Sequence, residues 1–484
     1  MMNTLNKYQV LLILFIFITH FSLAQEYDPE EKETDPQVLE NLEKWKDLKF
    51  GFMMHWGPYS QWGVVESWSI CSEDVPWCQR KSDNYVAYVK AYHQLQETFN
   101  PEQFNPEHWA AIAKEAGMKY VVFTTKHHDG FSMFDTKQTS YSVTDPLTPF
   151  HTHPRANITY EIFKAFRNEG FLTGAYFSKP DWHCEYYWWP YFSTPDRHVN
   201  YDPFKYPDRW QKFKEFTYNQ IEELMTGYGR VDILWLDGGW VRPRPQLNPK
   251  NNNGHSEKPY DQDIDMGKIA TMARTHQPGL IIVDRSVRGR YENYTTPEQH
   301  IPEEALEYPW ETCMTMAGSW SYVPNDRYKS TKTLIHNLVD IVAKGGNYLL
   351  NVGPSPEGEL PDAAISRMKE IGAWMKINGS AIYKTRPLAP FKEKNICFTS
   401  LPDGSVNAIY LAGESESTPP ATLMIESLRP APDAKIHLLG YSKPLKWNMT
   451  EGGLRISIPE KVRTHPPCEY AWTIRISHMD NSQP

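Results

Sequence analysis

The sequence predicts an α/β barrel followed by a small antiparallel β-sandwich, and three observations predict it. Between residues 40 and 385, short and almost continuously apolar runs alternate with amphipathic segments, the pattern of parallel strands covered on both faces by helices. About eight such units fit the span and no G-x-G-x-x-G follows the first run, which favours a closed barrel over an open dinucleotide-binding sheet. Beyond Arg386-Pro387 the pattern changes to short strand-like runs broken by Pro, Gly and Ser.

Taken in order, the chain of 484 residues opens on Lys7 and an apolar run from Val10 to Ala24 that ends in the small-x-small triplet Ser22-Leu23-Ala24. That shape is a secretory signal peptide over residues 1–24, so the protein is expected to be secreted or periplasmic, with no integral membrane span after cleavage. An uncleaved anchor is the alternative, and the shortness of the apolar core disfavours it. Gln25 to Pro36 is acidic and reads as a mobile leader.

The barrel is expected over residues 25–385. Its strands are predicted at Phe50–His55, Tyr120–Thr125, Leu172–Phe177, Val231–Leu236, Leu280–Val283 and Asn347–Leu350. Helices are predicted at Pro106–Ala116, Ile158–Asn168, Pro207–Met225, Met266–His276, Ser330–Ala343 and Asp362–Ile377, with Pro106 and Pro207 in first turns and Gly117 and Gly170 just past helix ends. Asn251–Gly254 sits in a long polar insertion read as a surface loop. The sandwich, residues 386–484, is expected to use Ile396–Thr399, Val406–Leu411, Thr422–Ile425, Lys435–Leu439, Leu454–Ile458 and Tyr470–Ile476.

Composition narrows the function. A net charge of −9 argues against nucleic acid as a partner. Aromatic content of 14%, with 17 Trp and 28 Tyr, fits either a large aromatic core or a carbohydrate site. The six cysteines are too sparse for a disulfide scaffold and include no C-x-x-C motif, although Cys71 and Cys78 are close enough in sequence to pair.

In a (β/α) barrel the reactive groups gather at the C-terminal ends of the strands. Those ends carry His55, then His127-His128-Asp129, then Tyr176 and Ser178, then Asp237, then Asp284-Arg285. Asp237 stands out within Trp235-Leu-Asp-Gly-Gly239, where the glycines are expected to let the backbone approach a ligand. Two carboxyl groups facing each other would hydrolyse a glycoside, and Glu292, Glu298 and Glu311 are the available partners for Asp237. A metal site is disfavoured, because adjacent His127 and His128 on a strand would point to opposite faces. Neither a phosphate-binding loop nor a G-x-S-x-G elbow is present.

With these residues in view, the sequence resembles glycoside hydrolase family 29, the α-L-fucosidases, from about Trp45 to Tyr383. The motifs are His55-Trp-Gly57, Glu66-Ser-Trp68, Lys126-His-His-Asp-Gly-Phe131-Ser-Met-Phe-Asp135, Gly174-Ala-Tyr-Phe-Ser178, Trp235-Leu-Asp-Gly238, Trp310-Glu-Thr312 and Gly345-Gly-Asn-Tyr-Leu-Leu-Asn-Val-Gly-Pro354. The resemblance implies an irregular (β/α)8-like barrel with a C-terminal β-sandwich and a retaining, exo-acting hydrolase of terminal α-L-fucosyl residues on oligosaccharides or polysaccharides. No metal and no cofactor are expected. Asp237 matches the family's nucleophile, and Tyr294-Thr-Thr-Pro-Glu298 after Asp284-Arg285 matches the segment that carries the acid/base, which prefers Glu298. His55, His127, His128, Tyr176 and Arg285 match positions that bind the fucose hydroxyls and ring, Trp320 matches the aromatic near the fucose methyl, Glu66 carries over as a sugar-binding position, and Trp68, one residue out of register, is a further sugar-binding candidate. The chain departs from the family at Glu66-Ser67-Trp68, where many members have Glu-Trp-Tyr and the Trp is displaced by one residue. Three other readings stay open: a member specialised for sulfated or internal fucosyl units, a metal-dependent barrel hydrolase, and a silent glycan-binding protein.

Overall fold

The computed structural model describes residues 32–73, 75–78, 80, 82–243 and 261–480. The signal peptide expected at 1–24 and the Asn251–Gly254 loop lie outside the described residues. Helix α1 (Pro36–Leu48) begins where the Asp35 carboxylate accepts the Gln37 N–H at 2.9 Å and Pro36 occupies the first turn. Just before it, Glu33 pairs with Arg274 at 2.6 Å and accepts from Asn293 Nδ2 at 3.1 Å. The described end of the acidic leader is therefore docked on the barrel, where composition alone reads it as mobile.

The barrel then runs β1 (Phe50–Met54), α2 (Tyr85–His93), α3 (Pro106–Glu115), β2 (Tyr120–Lys126), α4 (Ile158–Asn168), β3 (Leu172–Ser178), α5 (Pro207–Gly227), β4 (Ile233–Asp237), α6 (Met266–His276), β5 (Ile281–Asp284), β6 (Glu311–Thr315), α7 (Thr331–Ala343), β7 (Asn347–Val352) and α8 (Asp362–Asn378). The strands form one parallel sheet in the order β5-β4-β3-β2-β1-β7-β6. The gap between β5 and β6 is spanned by residues 291–299. Glu292 bridges Val283 in antiparallel sense; Thr295 then bridges Trp310, and Glu298 bridges Cys313, both in parallel sense. Gln299 N–H donates to Cys313 O at 3.0 Å. Among the described residues the barrel is thus irregular, with seven strands closed by an extended segment, and that segment carries Glu298 on the barrel wall.

Every residue of β1, β2 and β7 is buried, as strands covered on both faces require. One set of side chains, including Phe52, Val121 and Phe123, meets the helices. The other set, including Met53, Val122, Tyr176, Trp235 and Leu349, fills the barrel. Trp45 of α1 stacks on Tyr294 at 4.0 Å between centroids within that inner core. Strand β6 has no continuous apolar run, because it opens on Glu311 and carries Thr312 and Thr315, and so it is absent from the predicted strands. Helix α2 buries only Tyr88 and Tyr92, too thin an apolar stripe to read as amphipathic.

After α8 come β8 (Arg386–Glu393), β9 (Ile396–Ser400), β10 (Val406–Leu411), β11 (Thr422–Ile425), β12 (Ile436–Leu438), β13 (Lys446–Thr450), β14 (Gly453–Ser457), α9 (Glu460–Thr464) and β15 (Ala471–Ile476). A five-stranded antiparallel sheet, β12-β15-β10-β9-β8, and a three-stranded one, β11-β14-β13, share a core that includes Phe398, Ile425, Leu454 and Trp472. The unpredicted β8 and β13 are largely solvent-facing and lack a clean apolar alternation. Ile409, Leu411 and Ala471 join the barrel's outer core, and Trp374 Nε1 donates to Ala471 O at 2.9 Å. All six cysteines are free thiols, Cys71 and Cys78 included.

Candidate active site

Asp237 is the last residue of β4, at the C-terminal rim of the barrel. Its Oδ2 accepts from the Tyr176 hydroxyl at 2.7 Å, and its Oδ1 accepts from the Gly238 N–H at 2.8 Å and from Arg285 Nη1 at 3.1 Å. Burial alone would raise its pKa. The Arg285 charge, His128, the Tyr176 hydroxyl and the Gly238 N–H more than offset that and hold the carboxyl well below the usual carboxylate range.

The two glycines that follow meet a steric demand of the protein itself. Gly238 has φ +86°, and a Cβ there would lie 2.3 Å from Pro180 Cδ; at Gly239 a Cβ would lie 2.7 Å from Arg285 O. They let the exit of β4 thread between the loops leaving β3 and β5.

Arg285 follows β5. Its second nitrogen, Nη2, donates to the Glu298 carboxylate, its Nε donates to Thr296 Oγ1 at 3.1 Å, and its guanidinium lies 5.2 Å from the Trp235 ring centroid. One guanidinium therefore holds two carboxylates, one from the end of β4 and one from the extended segment between β5 and β6, a charge-assisted arrangement with fixed geometry. The carboxylates differ in access: the Asp237 side chain is 14% exposed and the Glu298 side chain 40%.

The other two acids lie elsewhere. Glu311 opens β6 at the opposite end of the barrel, where it accepts from Tyr120 O–H at 2.6 Å and Trp235 Nε1 at 3.2 Å. Burial, partly offset by those donors, raises it to about 7. Glu292 accepts the Ser286 N–H at 3.0 Å, and burial likewise lifts it to about 7.

Three imidazoles line the site. His55 Nδ1 meets Asn351 Oδ1 at 2.8 Å, and Asn351 Nδ2 donates to Trp320 O at 2.6 Å. That amide orientation makes His55 the donor at Nδ1. His127 Nδ1 pairs with Ser67 Oγ at 2.6 Å, and His128 Nδ1 with Ser178 Oγ at 2.7 Å. Burial lowers His55 to about 4 and His128 to about 3, and pushes His127 down as well, so all three are neutral at pH 7. Ser67, Ser178 and Asn351 orient these rings, and sequence reasoning gave none of them that purpose; their place beside or at strand ends was the available signal.

His127 and His128 do not point apart. Strand β2 stops at Lys126 after a register shift between Thr124 and Lys126, so the pair lies beyond the pleat and both rings converge on Asp237. The ring centroids are 4.3 Å apart, and His128 Nε2 is 3.8 Å from Asp237 Oδ2. Ligand atoms of His127, His128 and Asp237 lie within 4.8 Å of one another, close enough to share a cation. Yet Asp237 already accepts three donors, one of them the Arg285 cation, which competes for the same negative charge.

Aromatic walls complete the pocket. The Trp320 ring is 5.0 Å from His55 and the Tyr176 ring 5.3 Å from it, while Trp68, Trp182 and Trp240 surround His128 at 5.4, 5.0 and 5.2 Å. Glu66 is buried and accepts the Ser321 N–H at 3.0 Å, and its own N–H donates to Ser321 Oγ at 3.2 Å. Burial, reinforced by the Glu298 and Asp237 charges against a lowering Ser321 N–H, lifts Glu66 to about 8, so it carries its proton at neutral pH. The structure thus brings His55, Glu66, Trp68, His127, His128, Tyr176, Asp237, Arg285, Glu298 and Trp320 to one rim of the barrel.

The chain is similar to known proteins over most of its length. The family model described as Alpha-L-fucosidase matches residues 16–380, and that described as Alpha-L-fucosidase C-terminal domain matches residues 391–477. The chain is 28% identical to tissue alpha-L-fucosidase of Homo sapiens, covering 96% of each chain, and 26% identical to an alpha-L-fucosidase of Branchiostoma floridae, covering 96% of this chain and 99% of that one. Among solved structures it is similar to alpha-L-fucosidase isoenzyme 1 from Paenibacillus thiaminolyticus, with a TM-score of 0.72, 27% identity, and coverage of 91% and 99%. It is also similar to Thermotoga maritima alpha-fucosidase in complex with fucose, with a TM-score of 0.69, 25% identity, and coverage of 90% and 98%.

Proposed function

The chain belongs to the α-L-fucosidase family of glycoside hydrolases, and from that premise we propose an exo-acting, retaining enzyme that removes terminal α-L-fucosyl residues from glycans, with Asp237 as nucleophile and Glu298 as acid/base. The observation that carries the assignment is the shared guanidinium of Arg285, which reaches both carboxylates. A retaining pair needs carboxyl groups about 5–5.5 Å apart, and two groups bound to one guanidinium meet that demand for closeness.

The steps follow from the environments. Ionised Asp237 attacks the anomeric carbon while Glu298, entering the step in its protonated form, gives its proton to the departing glycosidic oxygen and becomes the carboxylate that Arg285 holds. Glu298 then takes a proton from water, which hydrolyses the fucosyl ester and frees Asp237. The recessed position of Asp237 suits a group beneath the sugar, and the exposure of Glu298 suits one that meets the leaving group and water. Each of the neutral rings of His55, His127 and His128 has Nδ1 engaged and Nε2 left for a sugar hydroxyl, and at His55, where Nδ1 carries the proton, Nε2 is an acceptor. Protonated Glu66 adds a donor, and Trp320 offers an apolar face for the 6-methyl group. The signal-like leader supports a secreted or periplasmic location.

Proton NMR of the first-formed product is the test. α-L-fucose appearing ahead of its β anomer is expected from an α-fucoside; the β anomer appearing first would contradict retention.

A further inference from the structure

Beyond the pocket that takes the fucosyl unit, a continuous aromatic path leads outward. His128 stands 3.8 Å from Asp237, Trp68 packs edge-on against His128 at 5.4 Å, and Trp77 packs edge-on against Trp68 at 5.7 Å. Trp240, three residues past Asp237, closes the inner end at 6.1 Å from Trp68. Trp77 is 51% exposed, so a large ring is presented to solvent at the outer end of this path.

The path is held rigid. The Arg197 guanidinium lies over both Trp68, at 4.5 Å, and Trp240, at 5.2 Å. Its Nε and Nη2 donate to the two carboxylate oxygens of Glu73 at 2.8 and 2.9 Å, and its side chain is 4% exposed. A bidentate pair of this kind fixes the loop that carries Trp68 and Trp77 against the loop that carries Arg197.

Resting on the assignment of Asp237 and Glu298 above, we infer that Trp77, Trp68 and Trp240 form a platform for the leaving-group sugar, a neutral pyranose linked to the fucosyl unit. The nucleophile is recessed, so the aglycone must leave toward the mouth, which is the direction the indoles extend. A pyranose presents an apolar C–H face that an indole covers, while its hydroxyls stay free for water and side chains. Arg197, the cation that lies over Trp68 and Trp240, is already engaged by Glu73, so the indole faces it covers favour an uncharged sugar. The displaced Trp68, which breaks the family's Glu-Trp-Tyr pattern, is what joins Trp77 to the pocket.

The test compares kcat/KM of wild type, Trp77→Ala and Trp77→Phe on α-L-fucosyl fluoride, which has no leaving-group sugar, and on a neutral α-L-fucosyl-galactose disaccharide. Trp77→Ala is expected to lower the disaccharide value about tenfold relative to the fluoride value, chiefly through KM, with Trp77→Phe restoring most of it. An equal change on both substrates, or none on either, overturns the platform. Wild-type cleavage of the fluoride with inversion, or no cleavage, instead overturns the catalytic assignment beneath it. Trp77 is half exposed, and a melting curve for each variant checks that the fold is retained.

Discussion

Glu298 reaches Asp237 through a single side chain: Arg285 donates from Nη1 to Asp237 at 3.1 Å and from Nη2 to the Glu298 carboxylate. Each carboxylate therefore depends on the other's anchor, and removing either partner leaves the guanidinium half-engaged.

Replacing Asp237 by Gly removes the proposed nucleophile and should lower kcat on an aryl α-L-fucoside by on the order of 10⁴-fold. Azide should restore part of the rate by attacking from the vacated side, giving the inverted β-L-fucosyl azide, which NMR identifies. Near wild-type turnover in this variant would remove Asp237 from the mechanism.

Replacing Glu298 by Ala should spare the first step for leaving groups that need no proton and cripple it for sugars. With azide, the fucosyl ester should yield α-L-fucosyl azide, opposite in configuration to the product of the Asp237 variant. Glu292→Gln and Glu311→Gln run beside it are expected to show neither behaviour, since the carboxylates of Glu292 and Glu311 are bound to Ser286 and to Tyr120 and Trp235 respectively.

Arg285→Lys keeps a charge but gives up the two-armed reach. The Arg285 charge is the largest of the effects that hold Asp237 ionised, so its weakening raises the Asp237 pKa. The acid limb of kcat/KM should move to higher pH in this variant, as a pH–rate profile would show; an unmoved limb with lowered kcat would mean that Arg285 only positions groups.

Stability should fall on both sides of mildly acidic pH. His55 and His128 have folded pKa values of about 4 and about 3, below the unfolded value of about 6.5, so the unfolded chain gains protons first and stability is lost as pH falls below that value. Glu66 has a folded pKa of about 8, above its unfolded value of about 4.3, so its contribution is present at low pH and is lost as pH rises through 8. Glu66→Gln should flatten the alkaline side of a Tm–pH profile between about pH 5 and 8. A profile no flatter than that of wild type would mean that Glu66 is ionised in the folded protein.

Much of the site could be read from residue types at strand ends, since β2, β3, β4 and β5 deliver His127, Tyr176, Asp237 and Arg285 where continuous apolar runs stop. Periodicity could not show the closure between β5 and β6. Residues 291–299 form no regular strand, and β6 opens on a buried Glu that an apolar-run reading passes over. The orientation of His127 and His128 was hidden for a related reason: the register shift at the end of β2 breaks the alternation from which opposite faces were deduced. Choosing Glu298 over Glu311 needed the family resemblance, because which end of a strand faces the pocket depends on the strand's limits, and those were not apparent for β6.

The most direct measurement is to trap the enzyme with 2-deoxy-2-fluoro-α-L-fucosyl fluoride and map the labelled peptide by mass spectrometry. One fluorofucosyl group on Asp237, formed as activity is lost, is the expected result. A label on Glu298, Glu292 or any other side chain, or complete turnover of the reagent with no label, would contradict the proposed mechanism.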